Sequence, residues 1–268
     1  MLHYNNSPCK HNNLSLLLST LLLLASQTFV SAEESMSHAQ THSNSAEKQL
    51  PSSVVAAQRS EPFCQKLHEQ CVARAKEGNI DILFLGDSIT EGMNRKLMHK
   101  IIGEKAENFG VGGDRTQNLI WRLRNGELDI KGSTPRAIVV LIGTNNTVSW
   151  GDNKSNTSPE IVLGVKEVLK EIRERQANAK ILLLGLLPRD EKPGTHLRKE
   201  ILEINKELQK LADNKHVWYA DIGDKLLEPD GKISTVVMSD FLHPTEDLGY
   251  QKMFDAIKPH LDVVLSAH

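Results

Sequence analysis

From residue 80 onward the chain alternates unbroken apolar runs with stretches whose apolar residues recur every three or four positions. The runs are IDILFLG (80–86), RAIVVLIG (136–143), AKILLLGLL (179–187) and HVWYAD (216–221), with a weaker one, AENFGV, at 106–111. Unbroken runs suit strands of a parallel sheet covered on both faces; a half-exposed strand would alternate. The periodic stretches predict helices over 91–103, 115–125, from Ser158 onward, 196–213 and 245–265. Asp114 reads as the N-cap of the second. Ser158-Pro159-Glu160 opens the third, with Ser as cap and Pro in the first turn. Pro259 is expected to kink or shorten the last. Strand and helix in alternation imply right-handed crossovers and a three-layer α/β/α sandwich on a five-stranded parallel sheet.

The N-terminal third of the pattern differs. Residues 14–25, LSLLLSTLLLLA, form one apolar run preceded by Lys10 and followed by Val30-Ser31-Ala32. A basic start, a short apolar stretch and a small-x-small site are the marks of a secretory signal peptide over 1–32. The run is shorter than the roughly 20 residues that span a bilayer. Cleavage would therefore leave no stable membrane span, and the mature chain is expected to be exported, periplasmic or extracellular; a retained anchor is the rival. Residues 33–59 are rich in Ser, Glu, Gln and His without apolar period, and read as a flexible spacer. The folded domain is expected over 60–266, opening with a helix from Ser60-Glu61-Pro62 to Gly78. Cys64 and Cys71 on that helix are seven residues apart, roughly 10 Å, beyond disulfide reach. They read as two free, half-buried thiols.

Charge then narrows the partners. Lys plus Arg number 32 against 34 Asp plus Glu, and aromatic residues are 4%. A chain that neutralises phosphates or stacks on bases carries more of both, so nucleic acid is excluded as a main partner. The sequence has no H-E-x-x-H and no C-x-x-C, and nothing in it calls for a metal or a cofactor.

Ligands of open α/β sheets bind at the carboxyl ends of the strands, and polar residues gather there. The first strand ends in Gly86-Asp87-Ser88 and the second in Gly110-Val111-Gly112-Gly113-Asp114. The third ends in Gly143-Thr144-Asn145-Asn146, and Asp240-Phe241-Leu242-His243 precedes the last helix. Taken singly, each has a plain reading as a turn or a cap. The glycine segment misses the dinucleotide fingerprint because Arg115 holds its last glycine position. Together they supply a hydroxyl, an imidazole, an acid to orient it and donors for an oxyanion, which is what acyl transfer requires. The sequence lacks G-x-S-x-G, the nucleophile elbow of the α/β-hydrolases.

In this order GDS, GGD, GTNN and DxxH resemble the four blocks of the SGNH (GDSL-type) hydrolase superfamily, whose fold is flavodoxin-like. The stretches ILFLGDSIT, NFGVGGDRTQNLIWRLRNGELD, IVVLIGTNN, LLLGLLPRDEKP and DFLHPTEDLGY are most similar to platelet-activating-factor acetylhydrolase type Ib catalytic subunits and their bacterial relatives. The resemblance implies Ser88 as nucleophile, His243 as base and Asp240 as its partner. It implies an oxyanion hole from the N–H groups of Ser88 and Gly113 and the amide of Asn145. Asp87 and Asp114 would support these loops, while Trp121-Arg122-Leu123 would pack a helix. Ile89, Thr144 and Leu242 adjoin these positions and would narrow an acyl pocket to acetyl or another short group.

The expected activity is hydrolysis of a short ester on a carbohydrate or a lipid, with a small ester or an acetylated glycan as substrate. An O-acyltransferase using the same residues, or a non-catalytic carbohydrate-binding protein, are the alternatives. A homodimer rests on the family likeness alone.

Overall fold

The computed structural model describes residues 49–132 and 134–267. The expected signal peptide, and the spacer up to residue 48, lie outside the described residues.

Five parallel strands carry the fold: β1 (Ile82–Gly86), β2 (Ala106–Gly110), β3 (Ala137–Leu141), β4 (Lys180–Leu184) and β5 (Val217–Ala220). Their order across the sheet is β2-β1-β3-β4-β5. The register pairs Phe84 with Asn108 on one side and with Val139 on the other. Every residue of β1 and β3 is buried, as unbroken apolar runs require of central strands.

Among the described residues seven α-helices connect or flank them: α1 (Pro62–Glu77), α2 (Ser88–Glu91), α3 (Arg95–Ile101), α4 (Thr116–Arg122), α5 (Ser158–Arg175), α6 (His196–Gln209) and α7 (Gly249–Ser266). α7 packs across β3, β4 and β5 and against α3, while α4 packs on α5 and α5 on α6. The sheet is thus covered on both faces, giving the three-layer α/β/α sandwich expected. Phe84 of β1 meets Phe254 of α7 edge to face with centroids 6.2 Å apart, a pair worth about 1 kcal/mol beyond its burial.

Four local expectations change. Thr157, not Ser158, caps α5, its N–H accepted by Glu160 at 2.9 Å in a reciprocal capping box. Asp114 does not cap α4. Its carboxylate turns inward to Arg122, and the N–H groups at the start of α4 are accepted by Asn118 and Asn146 instead (both 3.0 Å). Pro259 does not shorten α7, which runs on to Ser266. Pro259 faces solvent, where water can serve the carbonyl its missing N–H leaves open. The cysteines are free, as expected, but buried rather than half-buried. Burial pushes the Cys71 thiol up to about 12, which leaves it protonated and unreactive.

The domain also begins earlier than residue 60. Residues 51–59, expected as spacer, form a short turn at Ser52–Val54 and then lie along α4 and α5. Buried Ser53 donates to the Glu160 carbonyl (2.6 Å) and its own carbonyl accepts from Thr116 (2.8 Å). The Ala57 N–H donates to Gln117, and its carbonyl accepts from Asn118. The anchoring runs through serine hydroxyls and backbone groups, which explains why a polar, aperiodic stretch holds a fixed path.

Among the described residues no helix is long and apolar enough to cross a membrane. In the strand order 2-1-3-4-5 the chain reverses direction across the sheet between β1 and β3, a switch point at whose carboxyl ends sheets of this kind form their ligand crevice. The loops after β1, β2 and β3 all reach that crevice.

Candidate active site

β1 ends at Gly86, and the Asp87 carboxylate accepts the Ile89 N–H at 3.0 Å. This cap starts α2 and sets Ser88 on its first turn. Ser88 Oγ lies 2.8 Å from Nε2 of His243. On the far side of the ring, His243 Nδ1 lies 2.6 Å from Asp240 Oδ2. The other Asp240 oxygen accepts the N–H groups of Leu242 (3.0 Å) and His243 (2.7 Å). Burial opposes ionisation of Asp240, but these bonds, led by the one from His243, outweigh it and hold the carboxyl below its ordinary range. An ionised carboxylate can only accept, so Nδ1 carries the proton and Nε2 turns a lone pair toward Ser88. The turn holding Asp240 and His243 has Phe241 at φ 60°, and the Phe241 carbonyl accepts the Asp190 N–H (3.1 Å) from the loop after β4.

The glycine loop after β2 comes up beside Ser88. A Cβ on Gly110 would stand 2.1 Å from the Glu91 backbone nitrogen, so only glycine lets β2 pass α2 this closely. Gly113 has φ 77°, a left-handed conformation that turns the loop sharply before Asp114. Glu91 accepts the Gly112 N–H at 2.6 Å. The N–H groups of Ser88 and Gly113 have no acceptor among the described residues. Asn145, in the turn after β3, donates one amide hydrogen to the Asp114 carbonyl (2.9 Å). Its second hydrogen has no acceptor among the described residues, and the two loops are joined. Asn146 is structural: its amide spans Thr116, Gln117 and Asn156.

Beneath these loops lies a buried charge cluster. Arg122 donates to Asp114 (2.7 Å), to Glu127, and to the carbonyls of Gly86 and Phe109 (3.1 Å each). His68 meets the other Glu127 oxygen at 2.9 Å. Burial raises the Asp114 carboxyl to about 6 in spite of Arg122. Burial also raises Asp87 to about 7, with Asp114 adding to the shift and the Ile89 N–H opposing it. Arg122, expected only to pack a helix, therefore holds the end of β1, the end of β2 and Asp114 together. Its position eight residues after Asp114, two helical turns away, was the available signal.

Three more residues were not anticipated. Arg59 reaches from the N-terminal segment to the Gly112 carbonyl (3.2 Å) and to Asp114 (3.5 Å). Asn108 donates to the Thr90 carbonyl (2.6 Å) and accepts the Gly110 N–H (2.8 Å), stitching α2 to β2. Arg189 crosses to the Thr144 carbonyl (3.3 Å).

Of the three residues expected around the acyl group, Ile89 is buried in the continuous core and Leu242 packs half-buried against it. Thr144 is buried, its carbonyl also accepting from Thr147 (2.7 Å). Among the described residues no group of three His, Cys, Asp or Glu side chains is arranged to hold a metal ion.

The GDSL-like Lipase/Acylhydrolase family model matches residues 84–252. The chain is 39% identical over 189 residues to platelet-activating factor acetylhydrolase IB subunit alpha2 of Rattus norvegicus, covering 69% of this chain and 78% of that protein. It is 34% identical over 194 residues to the alpha1 subunit of Homo sapiens, covering 71% and 79%. Among solved structures, a GDSL-like lipase from Bacteroides thetaiotaomicron aligns with a TM-score of 0.60 at 16% identity, covering 74% of this chain and 96% of that one. The acetylxylan esterase Axe2 from Geobacillus stearothermophilus aligns at 0.55 and 15%, covering 73% and 97%. These two share the fold. With a family match over most of the chain and acetylhydrolase relatives above 30% identity, the chain belongs to the GDSL-like lipase/acylhydrolase family of the SGNH superfamily and is a carboxylic ester hydrolase.

Proposed function

We propose that the protein is an exported serine esterase that removes short acyl groups, acetyl above all, from a carbohydrate or lipid alcohol through an acyl-enzyme. The observation that carries this reading is the unbroken chain from Ser88 Oγ through the His243 ring to Asp240, at 2.8 and 2.6 Å.

Ser88 Oγ attacks the ester carbonyl as His243 Nε2 takes its proton. Asp240 keeps the imidazole in the right tautomer and steadies the imidazolium. The tetrahedral oxyanion forms against the N–H groups of Ser88 and Gly113 and the unpaired hydrogen of the Asn145 amide. The alkoxide leaves with the proton from His243. A water then gives its proton to His243 and attacks the acyl-serine, and the acid departs as Ser88 regains its hydrogen. Ile89, Thr144 and Leu242 bound the acyl side, and Asp87 and Asp114 support the loops from below. The acetylhydrolase relatives support the acetyl preference. Export rests on the apolar run at 14–25 and its small-residue site.

The test is hydrolysis of p-nitrophenyl acetate by the purified protein beside Ser88→Ala. The variant is expected to keep its melting temperature and lose nearly all turnover. Wild-type turnover in the variant would overturn the assignment.

A further inference from the structure

We propose that Trp150 forms the subsite for the leaving alcohol, and that this alcohol is a pyranose ring bearing the ester. The inference rests on the esterase reading above and names its substrate.

Trp150 is an indole left 60% exposed on a loop that is otherwise tightly built. The chain folds back there: the Trp150 N–H donates to the Asn153 carbonyl (2.9 Å) and the Asn153 N–H returns to Trp150 (3.0 Å), with Gly151 at φ 56° in the turn. Below, the buried Arg115 guanidinium donates to the carbonyls of Val148 (2.6 Å), Lys154 (2.7 Å) and Asn153 (3.3 Å). An arginine spent on three loop carbonyls fixes the backbone that displays the ring. The ring is thus pre-positioned, and little ordering entropy would be lost when something stacks on it.

Its place is at the oxyanion loop. A Cβ on Gly113 would stand 3.5 Å from Trp150 Cζ3 and 3.1 Å from Arg59 Nη1, and the Arg59 guanidinium lies 5.7 Å from the indole centroid. Arg59 is already paired with Glu61 (2.8 Å) and Asp114, so the open feature is the ring rather than the charge. Asn145 stands five residues earlier on the same segment. With Ile89, Thr144 and Leu242 on the acyl side, the ring at Gly113 is left to the alcohol.

The chemistry of that alcohol follows from the rim. Asp152, Asn153 and Lys154, which follow the indole in the same turn, are exposed. An apolar face bordered by donors and acceptors matches a sugar, whose C–H face stacks while its hydroxyls meet polar neighbours.

The experiment compares kcat/KM for peracetylated methyl β-xyloside with that for ethyl acetate, which has no ring to stack. The ratio is expected to fall about ten-fold in Trp150→Ala, through KM rather than kcat, and less than about three-fold in Trp150→Phe. The second readout uses Ser88→Ala titrated with the same xyloside. Its tryptophan emission is expected to shift, and the shift to vanish when Trp150→Phe is added. An unchanged ratio in Trp150→Ala overturns the subsite. So does sedimentation showing that Trp150→Ala splits a dimer, since the ring would then be covered by a second copy. A wild-type protein that cleaves ethyl acetate but not the xyloside overturns the sugar assignment. Failure on both esters overturns the esterase reading beneath it.

Discussion

Arg122→Met removes one cation of similar bulk from beneath the catalytic loops. Its side chain is 4% exposed and its partners Asp114 and Glu127 are fully buried. Breaking a buried ion pair from one side costs about 3–5 kcal/mol, because the remaining charge is left without compensation. The carbonyls of Gly86 and Phe109 lose a donor as well, at about 1 kcal/mol each. Part of this is recovered when the orphaned carboxylates take up protons, so a net loss of about 5 kcal/mol is expected. For a domain of this size that corresponds to a fall in Tm of about 10–20 °C.

The loss also depends on pH, with a definite sign. Burial already raises Asp114 to about 6 with Arg122 present. Without the cation its folded pKa moves higher still, so above about pH 4 this carboxyl binds more protons in the native variant than in its unfolded chain, and its share of the stability is lost over a wider range than in wild type. The variant's deficit against wild type is therefore larger at pH 8 than at pH 5. Circular-dichroism melts of both proteins at the two pH values measure this. A Tm loss under about 3 °C, or the same loss at both pH values, would refute the account of Arg122 as the charge holding the loops together.

Asn145→Ala is expected to lower kcat by about 10²–10³ through the loss of one oxyanion donor, measured on p-nitrophenyl acetate; a loss under three-fold would remove Asn145 from that role. Asp87→Asn keeps a capping side chain but removes a carboxyl that burial raises to about 7. The native protein holds that proton where the unfolded chain has lost it, so the Asp87 contribution to wild-type stability is fully present below about pH 4 and is lost, by about 4 kcal/mol, as pH climbs through 7. The variant's Tm should fall less across that window, and an identical slope would contradict the shift. The proposed role of Ile89, Thr144 and Leu242 predicts a higher kcat/KM on p-nitrophenyl acetate than on the decanoate, and the reverse order would dissociate them from acyl selection.

The strands were legible because each is a continuous apolar run, and a doubly covered parallel sheet demands that of its members. Ser88 and Asn145 fall in motifs at strand ends, where this fold presents side chains, and Asp240 and His243 fall in the turn before the last helix; the structure brings Ser88, His243 and Asp240 together. What the pattern hid was tertiary. Asp114 reads locally as a cap, and only the arrival of Arg122 beneath it turns the carboxylate inward. Residues 51–59 lack any apolar period because Ser53 and Ala57 are held by hydrogen bonds of a hydroxyl and of backbone groups, which leave no trace in hydropathy. Trp150 is invisible to a search for core positions, since its ring points out of the protein.

Ser88 and His243 are 155 residues apart in the chain, and His243 lies on the turn that leads into α7, the last helix. A nascent or unfolded chain carries Ser88 without His243 beside it. The hydroxyl stays an ordinary alcohol until α7 docks on the sheet and brings the imidazole across. On the proposed reading, hydrolytic capacity therefore arises only once α7 is in place, and a chain ending before residue 243 lacks the base for Ser88.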